Sequence, residues 1–196
     1  CFTRSYEAGL DSGDFLYLSY ARNEALITRL GRGDELDVLL SETQRSLALV
    51  ERTQVALALA IHTLIRQLVH NFQGRTRSRI SLSDATFDEL DFLKQIQRAG
   101  LSLAGLCYQT FKVQLHYLQH DYHGALAAAA EAERWVAGSV GHYITTELSF
   151  FRCLTLLALY GRATPAEQKS YLAELDRQQE AWSRWSRHCP ENFRHK

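Results

Sequence analysis

The stretch LSLAGLCYQTFKVQLHYLQHDYHGALAAAAEAERWVAG, residues 101–138, decides the fold class. Ala104, Tyr108, Phe111, Leu115 and Leu118 recur at alternating steps of four and three, which places them on one stripe of a helix. His120-Asp121-Tyr122-His123-Gly124 interrupts the pattern, and Ala125 to Val136 resumes helical composition at once. Ala125, Ala128, Ala129 and Ala132 allow close backbone approach, while Leu126, Trp135 and Val136 supply bulk. The stretch reads as a helical hairpin, a long helix and then a shorter one, joined by a tight turn.

The same reading extends in both directions. Phe2 to Leu10 reads as the end of a helix stopped by Gly9 and the Asp11-Ser12-Gly13-Asp14 turn. Phe15 to Leu30 forms the next helix, with Leu16, Tyr20, Ile27 and Leu30 on one face, and Asp34 reads as the N-cap of the helix after it. From Glu35 to His70 there is no Gly, Pro or Asn. Leu36, Leu40, Leu47, Val50, Leu57, Ile61, Leu64 and Leu68 hold one heptad frame, with Thr43 and Gln54 as its polar members. That phase implies one helix of about 55 Å, or two stacked nearly end to end. The stripe serves either a coiled-coil dimer or packing against helices of the same chain.

Gly74 to Ala85 is a connection carrying Arg75, Arg77 and Arg79, and reads as a solvated loop. Thr86-Phe87-Asp88-Glu89 has capping-box spacing and opens a helix to Arg98. Residues 142–160 are apolar nearly all round and read as a buried helix. Thr164-Pro165-Ala166-Glu167 joins a capping box to a proline at the first helical position. The helix it opens runs to about Arg187, with Leu172, Leu175 and Trp182 inward, and Cys189-Pro190 ends it. Two prolines in 196 residues, with the glycines dispersed at helix ends, suit an all-α chain. Hairpins that bury their faces only against sequence neighbours make an α-α superhelix, and residues 1–196 are read as one such segment.

Composition bounds the partners. Twenty-two basic and 22 acidic residues balance, so no global field favours nucleic acid or an acidic membrane. Leu148 to Tyr160, the most apolar run, contains Arg152 and is too short to span a bilayer. Cys1, Cys107, Cys153 and Cys189 are far apart with no CxxC, which favours a reducing, cytoplasmic setting over a disulfide framework. The chain begins at Cys1 and contains no methionine, and on that basis reads as a piece of a larger protein.

Chemistry-bearing constellations are few. His116, His120 and His123 with Asp121 have metal-like spacing, His116 and His120 sharing a helix face as two zinc ligands would. They lack the glutamate of an HExxH motif, and polar-face histidines at a hairpin junction account for them, so no metal site is assigned. Cys107 would need a neighbouring base to act as a nucleophile. Glu131/Glu133 and Asp88/Glu89/Asp91 lie on helical segments and read as solvated faces. Trp135, Trp182 and Trp185 could line a ligand groove, although large aromatics at helical spacing are more often core. No Gly-rich phosphate loop occurs.

Leu115 to Ala132 resembles the tetratricopeptide repeat: Asp121-Tyr122-His123-Gly124-Ala125-Leu126 fits its turn and the small residue opening its second helix, and Ala132 its next small position. Lys112, Val113 and Ala137 depart from the motif. The order of features along the chain also resembles the helical region of very large multidomain signalling kinases. Those features are Gly9-Leu10-Asp11-Ser12-Gly13-Asp14, Gly33-Asp34-Glu35-Leu36, Thr86-Phe87-Asp88-Glu89, and Trp185 with Cys189-Pro190-Glu191-Asn192-Phe193-Arg194-His195-Lys196. In that family a serine/threonine kinase domain precedes a signal-transducing NTPase with helical repeats, and GAF or PAS sensors and a histidine kinase or other output domain come after it. The resemblance implies ATP and magnesium in those other domains and no cofactor here, since no catalytic motif of theirs maps onto these residues.

The expectation is therefore a non-catalytic protein-interaction and signal-relay segment of a cytoplasmic kinase. Its partners would be a protein or peptide, flanking domains or a second copy, with no nucleic acid and no membrane insertion. Phe2, Tyr6, Trp185 and Phe193 are the candidate interaction surface, as apolar side chains at the two ends of a cut array. The alternative is a helical sensor that binds a small ligand or metal between helices.

Overall fold

A computed structural model describes residues 2–139 and 141–193. Cys1 and the Arg194-His195-Lys196 end of the signalling-kinase motif lie outside the described residues. Among the described residues every regular element is a helix.

Helix α1 (Phe2–Ser12) runs through Gly9 and pairs with α2 (Phe15–Arg32). Asp14 caps α2 by accepting from the Tyr17 N–H at 3.2 Å. The inward face of α2 differs from the expected one. Ile27 is buried and Leu30 packs on the core, but Leu16 and Tyr20 are exposed, and Leu18 and Leu26 are buried instead. The cause is α1, whose Gly9 backs so closely onto Leu18 that it turns that half of α2 inward. Asp34 does not cap the next helix. Its carboxylate accepts from Arg29 Nε at 2.8 Å and Arg32 Nε at 2.6 Å, and Glu35 takes the N-cap position without a side-chain bond.

The segment expected to be one 55 Å helix, or two end to end, is an antiparallel hairpin of α3 (Leu36–Thr53) and α4 (Ala56–Phe72). Gln73 Nε2 donates to Asp37 Oδ1 at 2.8 Å, so the far ends of the stretch meet. The reversal is made by Gln54, in the left-handed region at φ 54, with its N–H on the Val50 carbonyl. A non-glycine residue there costs about 1–2 kcal/mol and leaves no mark in composition. Because the turn is so short, the apolar stripe stays in phase across it. Leu40, Thr43, Leu47, Val50, Ile61, Leu64 and Leu68 are buried, against α2 and each other's helix and, from α4, against the helix that begins at Ser102.

The loop after α4 is ordered from within. Asn71 Nδ2 donates to the Thr76 hydroxyl and to the Ser78 and Ser81 carbonyls. Asp84 accepts from Gln67, Thr86 and the Phe87 N–H. Partial burial pushes its carboxyl up, but the bonds from Gln67, Thr86 and His70 outweigh that and hold it far below the usual range. Arg75, Arg77 and Arg79 are exposed. The cap of α5 (Glu89–Arg98) is Asp88, not Thr86, accepting from Leu90 and Asp91. Nor is Glu89 solvated. It is buried, at 3.1 Å from Lys112 Nζ and 2.7 Å from the Ser81 hydroxyl. Lys112, a departure from the tetratricopeptide pattern, thus ties the next helix to this loop.

The deciding hairpin forms as the sequence indicates, from α6 (Ser102–Leu118) and α7 (Tyr122–Val136). Asp121 caps α7 through the Gly124 N–H at 3.0 Å. Ala125, Ala129 and Ala132 are buried, and a Cβ on Gly105 would lie 2.3 Å from the Trp135 ring, so only glycine permits this approach. Leu118 alone of the stripe is exposed. A single 3-10 turn (Ala137–Ser139) leads to α8 (Ile144–Tyr160), which is buried on one face while Leu157 stays exposed. Then come α9 (Pro165–His188) and the short α10 (Pro190–Phe193). Glu174 is the buried residue of α9, whereas Leu172, expected inward, is exposed.

Each even helix from α2 to α8 packs on the next even one, and odd helices flank them: α3 on α2 and α4, α5 on α6, α7 on α6 and α8, α9 on α8. One hydrophobic core runs from Leu26 to Leu148 through α2, α3, α4, α5, α6, α7 and α8. Within it α2 reaches across to the start of α8. His142 Nδ1 donates to Glu24 Oε1 at 2.7 Å, and Gly31 leaves room for the Tyr143 ring. Among the described residues no helix is long and apolar enough to cross a membrane.

Candidate functional site

The four candidate surface residues fall into two separate places. At the C-terminal end, α10 folds back on α9 and brings Trp185 and Phe193 together, their ring centroids 5.9 Å apart. Trp182 joins both, at 5.1 and 6.0 Å, and reaches Phe150 on α8 at 6.4 Å. A polar chain runs beneath these rings. Trp182 Nε1 donates to Ser149 Oγ at 2.8 Å, Ser149 donates to Gln178 Oε1 at 2.6 Å, and Gln178 donates to Glu174 at 2.8 Å. Arg152 pairs with Glu174 and Glu133, joining α8 to both its neighbours. The result is a cleft of about 680 Å³ lined by Trp185, Phe193, Val136 and Leu148 among others. Both aromatic rings are half-buried, so the expected open patch is a lined groove.

At the N-terminal end, Phe2 is exposed and Tyr6 half-buried. Arg22 stacks over the Tyr6 ring at 4.9 Å. Arg22 and Arg29 both reach Glu42 at 3.4 Å, so α2 and α3 share one ionic cluster, on which Tyr6 of α1 stacks, beside a cleft of about 310 Å³. The cluster continues to Asp34, whose carboxyl is drawn down to about 2 by hydrogen bonds from Arg32 and Arg29.

The histidine cluster is divided among local tasks. His116 Nδ1 meets Asp121 Oδ2 at 2.7 Å, His120 meets the Tyr122 hydroxyl at 2.9 Å, and His123 is exposed. Among the described residues no group of three or more His, Cys, Asp or Glu side chains is placed to hold a metal. Cys107 is fully buried, and burial pushes its thiol far above the usual range, which removes the thiolate that nucleophilic attack requires. Burial likewise lifts Cys153 to about 11.

A third place has no counterpart among the candidates drawn from sequence. Asn23, Glu24 and His142 line a cleft of about 480 Å³ between α2, α4, the start of α6 and the connection into α8. Asn23 is 1% exposed, and among the described residues neither its Oδ1 nor its Nδ2 has a hydrogen-bond partner. The one local signal was an asparagine inside a helix, where its side chain competes with the backbone. The Glu24–His142 bond spans 118 residues and is not foreshadowed by any spacing. No family model, curated protein or solved structure matches the chain.

Proposed function

We propose that this chain is a tetratricopeptide-like superhelical segment that binds protein and relays signals, without a catalytic step of its own, inside a large cytoplasmic multidomain signalling kinase. The observation that carries the reading is the packing order, with even helices in one continuous row and odd helices flanking them. Hairpins stacked in this way couple each unit to the next, so a load at one end shifts the packing of its neighbours. The kinase parentage rests on the resemblance of the Gly9–Asp14, Gly33–Leu36, Thr86–Glu89 and Trp185–Lys196 motifs.

The reach of α2 to the start of α8 narrows the inner face that such an array would offer to a peptide. A partner would instead meet the array at its ends, where Trp185 and Phe193 line one cleft and Phe2 and Tyr6 another. Flanking domains of the parent, a separate protein or a second copy are the partners this assigns. The coding sequence on either side tests the parentage: a phosphate-loop NTPase before Cys1 and a sensor domain after Lys196 support it, and unrelated flanks overturn it. Hydrogen exchange of the chain alone and joined to its flanking domains tests the relay. Protection spreading from the joined end into α6 and α8 is expected, and a change confined to the terminal helix overturns it.

A further inference from the structure

We infer that the cleft between α2, α4 and the start of α6 is a binding site for a free apolar α-amino acid. The inference goes beyond the relay reading and does not depend on it.

The first observation is Asn23. A buried amide with no partner for either its donor or its acceptor costs stability, and buried polar groups are otherwise almost always paired. Its two unmet needs are one acceptor and one donor, side by side. An α-amino acid brings a carboxylate for Nδ2 and an ammonium for Oδ1.

The second observation is the charge around it. Leu101, Ser102 and Leu103 place the N-terminus of α6 in the cleft, and Leu101 at the N-cap supplies no side-chain bond. A helix start without a capping side chain presents backbone N–H groups and partial positive charge, suited to a carboxylate. Glu24, the next residue along α2, lines the same cleft and carries a carboxylate. His142 donates to its Oε1, and a carboxylate retains acceptor capacity for an ammonium. A partially positive helix start and a carboxylate thus share one cleft with Asn23. Among the described residues no lysine or arginine lines the cleft, which disfavours phosphorylated ligands.

The third observation is size and lining. About 480 Å³ lies within the range of small-molecule sites. Tyr20, Leu57 and Leu103 give it apolar walls. Tyr20, one helical turn before Asn23, is 38% exposed and lies at the solvent side of this lining.

The test uses the purified chain and calorimetric titration with L-leucine and L-phenylalanine up to about 20 mM, well above a millimolar dissociation constant. Saturable binding of at least one is expected. Binding should weaken by about tenfold or more for 4-methylpentanoic acid, which lacks the ammonium, and for isoamylamine, which lacks the carboxylate. Asn23→Leu should raise the melting temperature of the empty protein, because an orphaned amide is removed, and abolish the binding. Glu24→Gln should weaken the amino acid while leaving the residual binding of 4-methylpentanoic acid unchanged. No binding of either amino acid overturns the inference, as does equal binding of the single-charge analogues or a folded Asn23→Leu protein that binds as before.

Discussion

Ser46 Oγ lies 2.6 Å from His62 Nε2, across two helices that run in opposite directions. His62 Nδ1 donates to the Ala58 carbonyl at 2.8 Å, so Nε2 is the acceptor and the serine hydroxyl the donor. Both side chains are buried, and Arg22 Nε donates to the same Ser46 oxygen at 3.4 Å. Burial drives the His62 pKa down to about 4; the bond to Ala58 opposes that, and the nearby Arg22 charge adds to it.

This depressed pKa gives His62 a defined stability window. In the fold His62 stays neutral, whereas the unfolded chain takes up its proton near pH 6.5. The contribution is complete above pH 6.5, is lost as pH falls toward 4, and does not change further below that. Its full size is on the order of 3 kcal/mol. Denaturant midpoints at successive pH values should fall across that interval, and His62→Gln should flatten this part of the profile. A histidine variant with the same slope as the parent would show that His62 does not titrate there.

How far the sequence reached is clearest at this hairpin. The stripe from Leu36 to Leu68 placed Leu40, Thr43, Leu47, Val50, Ile61, Leu64 and Leu68 in the core, because apolar periodicity reports which face is covered; Leu36 and Leu57 are only half-buried, Gln54 is exposed at the turn, and Leu39, Ile65 and Val69, off the stripe, are buried as well. It missed the reversal, because Gln54 adopts the left-handed conformation without glycine and the short turn preserves phase. Local capping was legible where side chains bond within three residues, as at Thr164, and misplaced at Asp34 and Thr86, where arginines or a loop carboxylate take the polar groups instead. Tertiary pairs such as Glu24 with His142, or Lys112 with Glu89, depend on which helices meet, and that order is not written in any one segment.

The Lys112–Glu89 pair should behave as a buried ion pair. Lys112 Nζ also donates to the Ile80 carbonyl, and Glu89 also accepts from the Leu82 N–H at 3.2 Å and the Tyr108 hydroxyl at 3.4 Å. Removing the ammonium strands a carboxylate in the core. Lys112→Met should cost about 3–5 kcal/mol in urea unfolding. Adding Glu89→Gln should recover part of that loss, and strictly additive single-variant losses would show that the two groups do not interact.

Thr164 tests a helix start that side chains mark on both sides. Its hydroxyl accepts from the Glu167 N–H at 3.4 Å, and Glu167 returns the bond to the Thr164 N–H at 2.8 Å. Thr164→Ala should lower stability by about 0.5–2 kcal/mol. The loss should show as faster amide exchange in the first turn of α9 and leave α6 untouched. An unchanged exchange pattern would mean that Pro165 alone fixes the helix start.

The last prediction concerns the N-terminal face. Phe15, Leu16 and Tyr17 are consecutive at the start of α2, and all three are exposed. Leu10 and Phe2 on α1 add to the exposed apolar surface of the same hairpin. Consecutive large apolar side chains in solvent are unusual on a monomeric surface and mark a place of contact. The isolated chain should therefore associate weakly, with an apparent mass in sedimentation that rises with concentration. Leu16→Lys with Tyr17→Lys places two like charges on that face without touching the core. The double variant should remain monomeric and melt within about 0.5 kcal/mol of the parent, as exposed substitutions do. Trp185→Ala, at the opposite end, separates the two places: if it abolishes association while the double lysine variant does not, the contact belongs to the α9–α10 cleft. A parent chain that is monomeric at every concentration would leave this face to a partner other than itself, and the self-association prediction would be lost.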